Sequence, residues 1–216
     1  MKPHADRPRA AAPRPIVCVV DDDPSCLRAI ARRLEAAGFD VEPFESAEAF
    51  LARRPHAPGC AVVDLRMPGA GGLDIQDALS ATEDPLPVIF LTGHGNVQDS
   101  VRAMKRGAVD FLTKPVAGEE LVAAVTRAIA LDGKARAAWQ ALRTLRGRYD
   151  TLTPREKQVF ALVARGLLNK QIAAELGTSE RTVKAHRAQV MSKMGVSSVA
   201  DLTRAAERLG AAADAV

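Results

Sequence analysis

Five polar residues close apolar runs in this 216-residue chain. Asp21 and Asp22 follow Ile16–Val20, Asp64 follows Ala61–Val63, Thr92 follows Pro87–Leu91 and Lys114 comes just after Val109–Leu112. Each run reads as a short buried strand, so each polar group stands where a strand delivers it. In an open parallel sheet, ligands bind just beyond the carboxyl ends of the strands, where the strand order reverses. A carboxylate placed there is open to chemistry yet held by a rigid element. Asp64 is the central one: in Cys60-Ala-Val-Val-Asp64-Leu-Arg-Met-Pro68-Gly69 the Pro-Gly pair turns the chain into a loop directly afterwards. Taken alone, Asp64 reads more readily as an acid capping a turn. Its company changes that reading, because five polar groups at one edge of a sheet are hard to obtain by chance.

The elements that would position these groups alternate. After Ile16–Val20, Pro24 opens a helix with Leu27, Ile30, Ala31 and Leu34 on one face, stopped at Gly38. Phe39–Phe44 alternates weakly as a strand, and a helix begins at Ser46. Helical spacing returns at Leu73–Leu79, at Val97, Val101 and Met104, and at Leu121, Val122, Val125 and Ile129. Five strand–helix alternations with short loops predict a doubly wound α/β unit, a five-stranded parallel sheet covered on both faces by right-handed crossovers. Asp23 reads as a loop or helix-start acid only.

Charge divides the chain. Residues 16–133 carry 11 Lys/Arg and 18 Asp/Glu, a net −7, whereas residues 134–216 carry 15 against 7, a net +8. A basic unit of that size points to nucleic acid or another anionic surface. Residues 1–15, with four basic residues and one acid, read as a disordered basic tail rather than a secretory signal. No uncharged apolar run approaches the ~18 residues that a membrane span requires. Three cysteines, Cys18, Cys26 and Cys60, have no metal-type spacing and suit a reducing cytoplasm.

The first half resembles the receiver domain of bacterial two-component response regulators over residues 16–133, a flavodoxin-like fold. The carriers are Val20-Asp21-Asp22, Asp64-Leu65-Arg66-Met67-Pro68, Thr92-Gly93-His94-Gly95 and Lys114-Pro115. The resemblance implies that Asp64 accepts a phosphoryl group from a sensor histidine kinase. It implies that Mg²⁺ is bound by Asp22, Asp64 and the Arg66 carbonyl, with Asp21 reached through water. A hard octahedral cation suits such oxygen donors. Thr92 and Lys114 would contact phosphoryl oxygens, and Phe111 matches the family's switch aromatic. Lys114-Pro115 would be cis, as in relatives. Arg66 and His94 occupy the positions that line the water's approach to the phosphate. Val101, Met104 and Lys105, with the edge of the fifth strand, would form a homodimer surface on phosphorylation. Thr-Gly-His-Gly narrows the likeness toward FixJ-like members, from which the chain departs at Asn96, where relatives carry Asp.

Beyond the receiver, Ala135, Trp139, Leu142 and Leu145 lie among basic residues in a predicted linker helix over 134–149. Thr153-Pro154-Arg155-Glu156 is a capping box with Pro at the first helical position. Helices follow from there to Gly166, over Asn169–Leu176, over Glu180–Met194 and from Ser198, the last with Val199, Leu202, Ala206 and Leu209 on one side. Two helices around the Gly177 turn form a helix-turn-helix unit, whose second helix enters the major groove. Its outward face carries Arg181, Lys184, Arg187 and Lys193. A solvated charged face is the plainer reading of any one helix, but Glu180 is the only acid here. One-sided basic charge is what phosphate and base contacts require.

Residues 150–210 resemble the LuxR-type helix-turn-helix of NarL/FixJ regulators, through Leu152-Thr-Pro-Arg-Glu156, Gly166-Leu-Leu-Asn169-Lys170, Ile172-Ala173 and Ser179-Glu-Arg-Thr182-Val183-Lys184-Ala-His186-Arg187. The resemblance implies an all-α four-helix domain in which Lys184, Ala185 and Arg187 approach base edges. Lys170, Ser179, Arg181, Thr182 and His186 would sit near phosphates, and Val199 and Leu202 would make the dimer contact on DNA. Ala188 departs from relatives that carry a basic reader there. Residues 211–216 read as a flexible end. The expected protein is a phosphorylation-gated transcription regulator rather than an enzyme, with double-stranded DNA, a kinase and a second copy of itself as partners and RNA polymerase as a further candidate. A phosphorelay docking module, with only loose DNA binding, is the alternative.

Overall fold

A computed structural model describes residues 14–82, 84–93 and 97–210, with the backbone alone for 97–99. The expectations for His94, Asn96, the first 13 residues and 211–216 lie outside these residues. The chain divides into two compact units, 1–136 and 137–216.

In the first unit, β1 (Ile16–Val20), β2 (Asp40–Phe44), β3 (Gly59–Asp64), β4 (Val88–Thr92) and β5 (Asp110–Thr113) pair in parallel in the order β2-β1-β3-β4-β5. The strand order therefore reverses between β1 and β3, which opens a crevice above their carboxyl ends. β3 is buried along its whole length, as a central strand covered on both faces must be. One face packs Val17, Val19, Val62 and Ile89 against α1 (Pro24–Ala36) and the first turns of α5 (Gly118–Asp150). The other packs Cys18, Val63 and Phe90 against α2 (Ala47–Arg53), α3 (Gly72–Ser80) and α4 (Val97–Lys105). Asp23 is the N-cap of α1, accepting from Ser25 N at 2.8 Å.

The predicted break between the fifth helix and a linker helix at 133–134 is absent: α5 runs unbroken from Gly118 to Asp150. Gly133 costs a helix about 1 kcal/mol relative to Ala, but its neighbours hold the helix in place. Asp132, 1% exposed, accepts from Gly59 N at 2.9 Å and from Arg136 Nε at 2.8 Å. Arg136 also reaches Asp84 Oδ1 at 2.8 Å and the Ala57 carbonyl at 3.1 Å. This partly buried network closes the end of the sheet opposite the crevice.

The second unit contains the end of α5 with α6 (Pro154–Ala164), α7 (Asn169–Glu175), α8 (Glu180–Met194) and α9 (Val199–Leu209). Val159, Phe160, Val163, Ile172, Val183, Val190, Met194, Leu202 and Ala206 form its core. The capping box at α6 is present, with Thr153 N donating to Glu156 Oε2 at 2.8 Å. Gly177 at φ 62° makes the turn between α7 and α8, which β-carbon-bearing residues resist. Among the described residues no helix is long and apolar enough to cross a membrane.

Candidate functional site

Parallel pairing brings Asp21, Asp22, Asp64, Thr92 and Lys114 to one edge of the sheet. Thr92 is opposite Thr113 in the β4–β5 register, and Lys114 N donates to the Thr92 carbonyl at 2.8 Å. Across the crevice, Lys114 Nζ lies 2.6 Å from Asp21 Oδ2 and 3.0 Å from Asp64 Oδ2. Asp22 is exposed beside them, and one oxygen from each of Asp21, Asp22 and Asp64 lies within 4.8 Å of the others. Asp21 is 1% exposed and also accepts from Asp23 N at 3.0 Å. Thr92 is buried. Arg66 is exposed in the loop after β3, its N–H 3.5 Å from Asp64 Oδ1. The Lys114-Pro115 peptide is cis.

The electrostatics are those of a crowded anionic pocket. Burial raises the pKa of Asp64; Lys114 works against that shift and Asp21 adds to it. Burial opposes the charge on Lys114, but its hydrogen bonds to Asp21 and then Asp64 outweigh burial and raise its pKa. Cys26, near the pocket, is pushed up to about 11 by burial and by Asp21. Cys18 and Cys60 are buried thiols pushed up to about 12 by burial, and such thiols pack as small apolar groups. Phe111 is partly buried against the apolar cluster under α3 and α4, its ring 6.5 Å from that of Phe90. On α4, Val101 (46% exposed) and Met104 (47%) face outward, and Lys105 is exposed beside them.

In the second unit, Ser179 caps α8, accepting from Thr182 N at 3.2 Å. Lys170, Arg181, Lys184 and Ala185 are exposed, and His186 and Arg187 are half-buried. Arg187 Nη1 donates to Asn169 Oδ1 at 2.9 Å. Asn169 is therefore a residue that sequence reasoning missed, since its link to Arg187 joins two helices 18 residues apart and leaves no local pattern. Two expectations need correction. Lys193 is not part of the outward basic face: its Nζ bonds Glu156 Oε2 at 2.6 Å, so its charge serves the α6 capping box. Leu202 is not a dimer contact, because it is 0% exposed in the core, while Val199 at the first turn of α9 is 37% exposed. A helical stripe places both on one side without saying which lies deeper.

Comparison with known proteins agrees with this layout. The family model for a response regulator receiver domain matches residues 17–126, and that for bacterial regulatory proteins of the luxR family matches residues 150–206. The chain is thus a two-component response regulator with a LuxR-type DNA-binding domain, of a class that regulates transcription and does not act as an enzyme. Nodulation protein W of Bradyrhizobium diazoefficiens is 46% identical over 205 residues, 94% of this chain and 90% of that protein. Response regulator protein TodT of Pseudomonas putida is 44% identical over 195 residues, 90% of this chain and 86% of that protein. Among solved structures, response regulator StyR aligns with a TM-score of 0.81 at 43% identity, covering 91% of this chain and 100% of that one. This chain belongs to the NarL/FixJ family of response regulators.

Proposed function

We propose that Asp64 accepts a phosphoryl group from a sensor histidine kinase in the cytoplasm, and that phosphorylation drives dimerisation and sequence-specific binding to DNA. The observation that carries this reading is the Lys114 ammonium, held between Asp21 and Asp64 at the switch point of the sheet. An Asp64 oxygen forms the bond to phosphorus as the bond to the donor's histidine nitrogen breaks, and that nitrogen keeps the electron pair. The chain must position the incoming group and balance its charge. Lys114 is placed to pair with one phosphoryl oxygen, and the Thr92 hydroxyl to donate to another. Thr92 and Phe111 are the pair through which occupancy would reach the outer face of α4, where Val101, Met104 and Lys105 would meet a second copy.

The donor set fits Mg²⁺: three carboxylates on one edge are hard oxygen ligands with a net negative charge that Lys114 only partly offsets. Asp22 and Asp64 would hold the ion directly, with the Arg66 carbonyl, and Asp21 through water. When bound, it supplies charge neutralisation for the approach of an anionic phosphoryl group. In the second unit, Lys184, Ala185 and Arg187 would meet base edges, and Lys170, Ser179, Arg181, Thr182 and His186 the backbone. Val199 alone of the α9 pair remains for contact between DNA-bound copies, and RNA polymerase is a further candidate partner.

Asp64→Asn keeps the shape of the site and removes the nucleophile. A radiolabelled small phosphodonor with Mg²⁺ is expected to label the wild-type chain and not this variant. Equal labelling of both would show that another residue is the acceptor.

A further inference from the structure

The C-terminal end of α8 is held from outside its own helix. Gly195, at φ 64°, ends the helix, and its N–H returns to Met191 and Ser192. The carbonyl of Met194, two residues beyond Ser192, accepts from Nη1 of Arg148 at 3.0 Å, and Arg148 lies in the last turn of α5. The link also runs in reverse. Lys193, in the last turn of α8, donates to the Thr151 carbonyl at 3.3 Å. Thr151 donates its hydroxyl to the Arg148 carbonyl at 2.6 Å. A closed ring of hydrogen bonds therefore joins the end of α5 to the end of α8. Gly195 is suited to it twice over, since a β-carbon there would lie 2.7 Å from Arg148 Nη1. The same end of α5 is packed down by Leu145 and Tyr149, whose ring meets Phe160 at 5.2 Å.

We infer that Arg148 is a positioning residue for DNA recognition: through the Met194 carbonyl it fixes the lie of α8, so the last turn of α5 belongs to the DNA-reading apparatus. This rests on the DNA-binding role proposed above for α8. Base-edge contacts by Lys184 and Arg187 demand a fixed helix, because bidentate hydrogen bonds tolerate little displacement. Phosphate contacts carry much of their attraction as charge and tolerate more. The guanidinium of Arg148 is engaged by a carbonyl, so its loss acts on sequence discrimination and leaves the count of phosphate contacts unchanged.

The test uses the full chain treated with a small phosphodonor and Mg²⁺, a duplex selected from a random library by the wild-type protein in that state, and a scrambled duplex, over a range of salt concentrations. If the wild-type chain shows no preference, the DNA-reading proposal itself falls, and this inference with it. Given a preference, Arg148→Met, which keeps an apolar stem, is expected to lose about tenfold on the selected duplex, the size of one charge-assisted hydrogen bond. It should lose less than about twofold on the scrambled one, with the salt slope unchanged. Arg148→Lys, able to donate to the same carbonyl, should recover most of the discrimination. Equal losses on both duplexes with a slope smaller by about one unit would make Arg148 a phosphate ligand and overturn the inference. Wild-type discrimination in Arg148→Met would overturn it too. So would loss of helical circular dichroism in both variants, since the role would then be stability alone.

Discussion

Lys114→Met removes the ammonium from the crevice and leaves the aliphatic stem. In the wild-type chain Nζ sits 2.6 Å from one carboxylate that is almost wholly buried and 3.0 Å from a second. At an effective dielectric of about 20, each contact is worth roughly 6 kcal/mol of Coulomb attraction, most of it offset by desolvation. Removing one partner of a buried pair costs about 3–5 kcal/mol, and because Lys114 is partly exposed we place the loss near 3 kcal/mol. With a urea slope of about 1.5–3 kcal/mol per molar, the unfolding midpoint of the receiver unit should fall by about 1–2 M. The loss should depend on pH. Asp64, whose carboxyl is already raised by burial, loses the lowering influence of Lys114. A carboxyl with a raised folded pKa binds its proton more tightly folded than unfolded, so its contribution is full below the unfolded pKa and fades as pH rises through the folded one. The deficit is therefore larger at pH 8 than at pH 5, and excess Mg²⁺ should narrow it. Urea titration followed by circular dichroism, with amide exchange in β3 identifying the receiver transition, measures both effects. An unchanged midpoint at pH 8, or an equal deficit at both pH values, would refute the electrostatic account of the site.

Glu156→Gln should weaken the second unit and flatten its acid response. Lys193 and then the Thr153 N–H hold the Glu156 carboxyl below its usual range, so its stabilisation is present above about pH 4.5 and is lost as pH falls through the lower folded value; acid titration of the two chains compares them. Lys184→Ala should cost about 1–3 kcal/mol per half-site on a selected duplex and relax specificity, whereas Lys170→Ala should weaken all duplexes alike and shrink the salt slope by about one unit. Binding isotherms at several salt concentrations separate the two. Met104→Asp places a charge on the exposed face of α4 and should prevent any doubling of mass upon treatment with a phosphodonor while Asp64 is still labelled; light scattering and label counting give the two answers.

The crevice was legible because a parallel sheet converts a sequence rule into a spatial one. A polar residue after each apolar run lands on the same edge, so Asp21, Asp64, Thr92 and Lys114 could be gathered without coordinates. Asp23 was likewise readable, as a cap acts within three residues of itself. Contacts between distant elements were not. Lys193 looks like one more member of a basic stripe until Glu156, 37 residues away, turns it inward. Asn169 and Arg187 meet only because the Gly177 turn folds α7 across α8. The unbroken length of α5 was not legible for a related reason: the bonds that hold the helix past residue 133 come from Gly59 at the start of β3, from Ala57 and from Asp84, all far back in the chain.

The network around Asp132 sets where the receiver can be cut free. The family match ends at residue 126, and a charge count suggests 133, but neither is a safe terminus. A piece ending there would discard Arg136 and, if it kept Asp132, would strand a buried carboxylate whose remaining partner is the Gly59 N–H. Breaking such a pair costs several kcal/mol, enough to turn a sound domain into an aggregating one at expression temperature. The shortest piece that keeps this arrangement ends after Arg136, and that is also where the compact unit ends.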